Sequence, residues 1–183
     1  MTLREPLNLR RIAEWALVFV VTLSMLAYGL GKYWQFGQLH DPDQTVSELS
    51  GMQLMWAFYG YSKTFPMLLG IAEVLGALLL LVPRTRILGA LLLSILLINI
   101  IIQDIIYGVH PGALFAACLY QLMLLVILGW HRKKLFQAGQ SLLLPRSEHP
   151  ATSRKTLIWT ISIAALLAFI LKYLEIFGTR ALL

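Results

Sequence analysis

The sequence predicts an all-α fold, a transmembrane helical bundle, and three observations lead there. Of its 183 residues, 58% are hydrophobic and only 13% charged, against about 25% charged in soluble domains. Five apolar runs stand out, Ile12–Gly31, Phe65–Val82, Ile87–Tyr107, Gly112–Trp130 and Thr156–Phe177. Each is near the length of about 20 residues that a helix needs to cross roughly 30 Å of hydrocarbon. Nothing of domain size remains outside these runs. The reading is one membrane domain over 1-183: a four-helix core over 12-130, an outer loop over 33-62, a basic cytoplasmic loop over 131-155 and a fifth helix over 156-177.

Taken in order, the first run exceeds a signal-peptide h-region of about 7–15 residues, and no A-x-A-like cleavage site precedes Lys32. It is expected to stay as a helix. Glu14 and Trp15 fall in its first turn and read as interfacial anchors beside Arg10 and Arg11. Ser24, Tyr28 and Lys32 recur at i, i+4 and i+8, so they share one face. That stripe turns into the bundle or, for Lys32, rises to the outer interface by snorkelling, the expected course for a lysine near a helix end.

Tyr33–Ser62 is the one sizeable outer segment. His40-Asp41-Pro42-Asp43 reads as a turn, and Thr45 with Glu48 has capping-box spacing. Leu49, Met52, Trp56 and Tyr59 then mark one apolar face of an amphipathic interfacial helix over 45-60. Trp34, Phe36, Trp56, Tyr59 and Tyr61 supply an aromatic belt.

The second run opens with Pro66, where a missing N–H costs nothing in a first helical turn. Gly70, Glu73 and Gly76 lie on one side of it, and glycines beside a carboxylate allow close approach by a neighbour or leave room for a ligand. Pro83 ends the helix, and Arg84-Thr85-Arg86 turns into the third run. Asn99, Gln103 and Tyr107 follow one another at i, i+4 and i+8 there, with Asp104 about 100° round from Gln103. The short link Gly108–Pro111 makes the next helix an antiparallel neighbour. Gln121, at the end of an Ala113–Ala117 small-residue face, is expected to pair with Asn99. His131–Lys155 is basic at both ends and, with Pro145 and Pro150, reads as a linker. The fifth run closes with Lys172 and Glu175 as a surface pair.

Charge sets the expected orientation. Arg4, Arg10, Arg11, Arg84, Arg86, Arg132, Lys133, Lys134, Arg146, Arg154 and Lys155 fall on one side of alternating helices; Lys32, Lys63, Lys172 and Arg180 fall on the other. By the positive-inside rule the N-terminus is cytoplasmic and the C-terminus outside, in a bacterial-type inner or plasma membrane. The formal charge of +6 is therefore read as topology beside anionic headgroups, not as a nucleic-acid surface. Cys118 is the single cysteine, which excludes an intrinsic C-x-x-C thiol chemistry. His40, His110, His131 and His149 sit at or beyond helix ends, so paired haem ligands are not offered. There is no flavin fingerprint or metal constellation.

Gly70-x-x-Glu73 before a leucine run, Arg84-Thr85-Arg86-x-Leu88-Gly89-Ala90, Asn99 and Tyr107-Gly108-Val109 together resemble the DoxX-like membrane proteins, from about Ile12 to Trp130. The resemblance implies a compact four-helix core, to which the fifth helix is additional. It also implies an association with thiosulfate:quinone oxidoreduction and membrane redox complexes, with other relatives in lipid handling or chaperoning. None of these activities maps onto individual residues here.

A carboxylate in a membrane helix costs about 2.5–3.5 kcal/mol and is normally given a partner or a wet cavity. Glu73, Asn99, Gln103, Asp104 and Gln121 are therefore expected to form a polar pocket, with Lys32, Lys63, Tyr107 and His110 at its mouth. Its ligand would be amphipathic, a quinone or a lipid, in a binding or accessory subunit with no intrinsic cofactor. Interhelical glue is the plain alternative for Asn99 and Gln121, since such pairs contribute on average about 0.6 kcal/mol. Two further readings are a subunit that passes electrons to quinone beside a redox partner protein, and a proton pathway along Lys32, Glu73, Asn99 and Asp104 in a homo-oligomer. Catalytic residues cannot be named from the sequence.

Overall fold

The computed structural model describes residues 9–36, 44–143 and 153–181. Among these are seven α-helices and one 3-10 turn, with no strand. They are α1 (Leu9–Gln35), α2 (Gly51–Gly60), α3 (Thr64–Leu81), α4 (Arg86–Ile106), α5 (Pro111–Trp130), α6 (Arg132–Leu143) and α7 (Arg154–Ala181). Five of them, α1, α3, α4, α5 and α7, are long and apolar enough to cross a membrane. By its contacts the chain gathers into two compact units, 1–137 and 138–183.

The first unit is a ring of four long helices. α1 packs on α3, α3 on α4, α4 on α5, and α5 closes back on α1 through the least extensive of the four interfaces. Small residues make these approaches. A Cβ on Gly70 would strike the carbonyl of Gly29, and one on Gly29 would lie 2.7 Å from the carbonyl of Gly70. In the same way Gly89 lies against the backbone of Leu79 and Leu80, and Gly76 against the side chain of Leu93. Lipid tails are as apolar as leucine, so it is close packing of this kind, not exclusion of water, that holds membrane helices together.

Between the helices Val18, Val21, Met25, Ala77, Leu80, Leu93, Leu97, Leu124 and Ile127 form the buried core. The outer faces are as apolar as the core: Leu23 and Ile95 are each 67% exposed, and Phe115 70%. A soluble protein rarely exposes so much contiguous apolar surface. The pattern belongs in lipid.

The ends of the helices show why the elements stop where they do. α1 runs four residues past Gly31, and its last carbonyls find partners there: Trp56 Nε1 donates to the carbonyl of Gln35 at 3.1 Å. Thr45 and Glu48 do pair, the carboxylate accepting from the Thr45 N–H at 2.9 Å. They cap only the 3-10 turn Val46–Glu48, however, and the chain is extended at Leu49. The helix expected from 45 begins instead at Gly51, under a second box in which Ser50 Oγ accepts from Gln53 N–H and Gln53 Oε1 accepts from Ser50 N–H. With that shift its inward residues are Met55 and Tyr59. Leu49 precedes the helix, and Met52 and Trp56 are half-buried beside the inward face.

Pro66 stands in the first turn of α3, and Thr85 Oγ1 donates to the carbonyl of Leu79 at 2.8 Å across the Pro83 turn. At the other hairpin Gly108 adopts φ +62, a left-handed conformation that ends a helix readily only at glycine. Val109 N–H then closes on the carbonyl of Asp104 at 3.0 Å. Pro111 opens α5, and His110 Nδ1 accepts from Gly112 N–H at 3.1 Å.

The segment read as a linker after Trp130 is helical over Arg132–Leu143; its prolines, Pro145 and Pro150, come after that helix, so nothing in it breaks the backbone ladder. α7 covers the expected fifth span and extends it at both ends, and its side chains are exposed from Arg154 to Tyr173. The turn read at His40–Asp43 lies outside the described residues, as does the side chain of Glu175 in the expected Lys172–Glu175 pair.

Candidate functional site

The site grows out of the Gly29–Gly70 contact. With the two backbones touching, Lys32 sits against Gly70 and Glu73 against Gly29, so their side chains reach toward each other over the contact. Lys32 Nζ lies 3.3 Å from Glu73 Oε1, with the side chains 9% and 2% exposed. It also donates to Gln35 Oε1 at 3.3 Å and stands 5.9 Å from the Phe36 ring. The snorkelling expected of Lys32 is overturned: the ammonium turns inward because a buried carboxylate waits there, and an unpaired carboxylate is the costlier arrangement. Glu73 Oε2 has no hydrogen-bond partner among the described residues.

A second polar chain descends from α2. Tyr59 Oη donates to Gln103 Oε1 at 2.7 Å, and Gln103 Nε2 donates to Asn99 Oδ1 at 2.7 Å. Tyr59 is itself buried and stacks on Phe36 and Phe65. Burial holds its hydroxyl above the ordinary tyrosine range, with the Gln103 contact opposing that shift. Asp104 is 6% exposed, and its Oδ2 also lacks a partner among the described residues.

These groups surround one cavity of about 130 Å³. Lys32, Glu73, Asn99, Gln103 and Asp104 all line it, five of the nine residues the sequence nominated. The other four do not. Gln121 is buried with Oε1 unpartnered among the described residues, and its expected partner Asn99 is instead taken by Gln103, one turn along the same helix. Tyr107 borders a shallower hollow against α2. Lys63 is exposed, 5.2 Å from the Tyr33 ring. His110 serves as the cap of α5.

Sequence reasoning missed the aromatic wall. Tyr28, Phe36, Trp56, Tyr59 and Tyr120 line the same cavity. Tyr28 and Tyr120 meet edge to face, 6.3 Å between centroids, across the α1–α5 interface. The signals available were the Tyr28–Lys32 stripe and the belt residues Phe36, Trp56 and Tyr59, read as facing the interface; Tyr120 carries none that a single chain reveals.

A separate polar cluster lies at the opposite end of the ring. Glu14 Oε1 accepts from Arg86 Nη1 at 2.6 Å and from His131 Nε2 at 2.9 Å. Arg86 also donates to the carbonyl of Leu80 at 3.3 Å and lies 4.3 Å from the Trp15 ring. Glu14 and Arg86, read as surface anchors and topology charges, are both buried. The cluster ties α1 to the start of α4 and the end of α5. Arg10 adds a bond to the carbonyl of Trp130 at 2.7 Å.

Fold and site together define an integral membrane protein whose helices enclose a charged, aromatic-walled cavity. Within that class the chain belongs to the methylamine utilisation protein MauE family, whose model it matches over residues 9–118. It is similar to the uncharacterized protein YwoB of Bacillus subtilis (strain 168), 30% identical over 116 residues that cover 62% of this chain and 73% of that protein. No solved structure matches the chain. The family match includes every residue lining the cavity except Tyr120.

Proposed function

We propose that the protein is a membrane-embedded binding or accessory subunit that holds the polar head of a small amphipathic molecule, a quinone or a lipid. The observation that carries this reading is the convergence of Lys32, Glu73, Gln103 and Asp104 on one cavity between apolar helices. A cavity of about 150 Å³ holds a benzene ring, and this one, open at its mouth, is of the same order at about 130 Å³, room for a headgroup at most and not for a tail. The tail would leave between α1 and α5, the least extensive interface of the ring, past Tyr28 and Tyr120. Gln121, Tyr107, Lys63 and His110 take no part.

The family's description ties its members to methylamine utilisation. An accessory role in the membrane part of such a system, beside a redox partner protein, is the second reading, and the DoxX-like resemblance of the core supports it. For orientation we retain a cytoplasmic N-terminus, on the charge asymmetry.

Native mass spectrometry of protein taken from its own membranes tests the binding reading. A copurifying quinone or lipid is expected, lost or sharply reduced in Glu73→Gln. A clean apo spectrum from the wild type would sink it.

A further inference from the structure

We infer that the cavity receives an alkylammonium group, held by the free oxygens of Glu73 and Asp104 and walled by aromatic rings. The inference rests on the binding reading above and narrows its ligand.

Four of the side-chain donors that line the cavity have partners. Lys32 serves Glu73 and Gln35. Tyr59 serves Gln103, Gln103 serves Asn99, and Trp56 Nε1 serves the carbonyl of Gln35. What remains buried and unpartnered among the lining residues is a pair of acceptors, Glu73 Oε2 and Asp104 Oδ2. Unmet buried acceptors are costly, more so when charged, so a ligand that donates hydrogen bonds gains most here. A ligand that only accepts, such as the carbonyl of an oxidised quinone, gains nothing from them.

Charge points the same way. Among the lining residues Lys32 is the one basic side chain against two carboxyl groups. A guest proton could cancel the surplus, but it would turn one orphan acceptor into an orphan donor. A primary ammonium cancels the charge and brings three N–H donors. The surrounding rings add attraction for a cation within about 6 Å of their faces. Two sources carry this chemistry, the ethanolamine head of a phospholipid and a free small alkylamine.

The test uses the full-length protein in detergent, with its melting followed at equal ionic strength in ethylammonium, tetramethylammonium or sodium chloride. A second arm adds phosphatidylethanolamine or phosphatidylcholine to the micelles. Stabilisation by ethylammonium over both other salts supports the inference with a free amine as source. Stabilisation by phosphatidylethanolamine but not phosphatidylcholine supports it with a lipid as source. Asp104→Asn should weaken either effect about tenfold or more; should that variant not fold, the comparison of the two ammonium salts on the wild type still decides. Equal stabilisation by ethylammonium and tetramethylammonium, which has no N–H, would overturn the inference. So would silence in both arms. If silent protein still retains a neutral amphiphile on purification, the binding reading stands without the ammonium; if it retains nothing, both fall.

Discussion

Lys32 and Glu73 meet 3.3 Å apart across the α1–α3 interface, each more than nine-tenths buried. Breaking a buried pair by removing one partner leaves the other charge uncompensated and costs about 3–5 kcal/mol. Lys32→Met and Glu73→Gln should therefore each lower the melting temperature in detergent. The double variant should lose much less than the sum, because it leaves no lone charge behind. Additive losses would show that the two groups do not depend on each other.

The Gly29–Gly70 contact makes a sharper claim. A methyl at Gly70 meets the backbone carbonyl of Gly29, which has no rotamer to move into. Overpacking of this kind costs about 1–3 kcal/mol. Gly70→Ala should destabilise accordingly and, by separating α1 from α3, weaken the Lys32–Glu73 pair as well. Gly31 lies on the same helix with open space around its Cβ position. Gly31→Ala should be nearly neutral in the same melt.

At the opposite end, Arg86→Ala removes the nearer partner of Glu14 and should cost about 3–5 kcal/mol. Arg86→Lys keeps the charge but cannot make both the Glu14 and the Leu80 bonds, nor lie on Trp15 as a planar group. Its melt should fall between wild type and Arg86→Ala. A lysine variant as stable as wild type would reduce the cluster to charge alone.

Tyr59 provides a pH test outside the spanning helices. Burial raises its folded-state value, so its neutral form is favoured by the fold. The stability it contributes is full below the ordinary tyrosine range and is lost as pH rises through the raised folded value. In an alkaline titration followed by tyrosinate absorbance, one late-titrating tyrosine should vanish in Tyr59→Phe. Loss of an early-titrating signal instead would contradict the burial.

Much of this arrangement could be read from the chain. The five spans follow from run length, and the Gly70–Glu73–Gly76 face already marks where a neighbour must come close. The direction of Lys32 is not legible in the sequence because its stem can reach either way; the choice depends on which helix lies opposite, and that is decided by the Gly29–Gly70 contact. Spacing alone offers Gln121 to Asn99, although Gln103 on its own helix lies nearer. Glu14 and Arg86 look like surface charges because each sits at the end of an apolar run. Only the closed ring brings those ends together. Tyr59 reaches Gln103 across 44 positions of sequence, a pairing that no local pattern encodes.

The short helix α2 contributes Met55, Trp56 and Tyr59 to the cavity wall, and it is fastened by the Trp56–Gln35 and Tyr59–Gln103 bonds, by Gly51 against the Tyr107 backbone and by an apolar cluster with Val109. Lifting it disturbs none of the glycine contacts that lock the long helices. The dwell time of a guest would then follow the lifetime of the contacts that hold α2 down. Substitutions at Trp56 or Gln103 would alter how quickly the contents exchange while the scaffold stays shut.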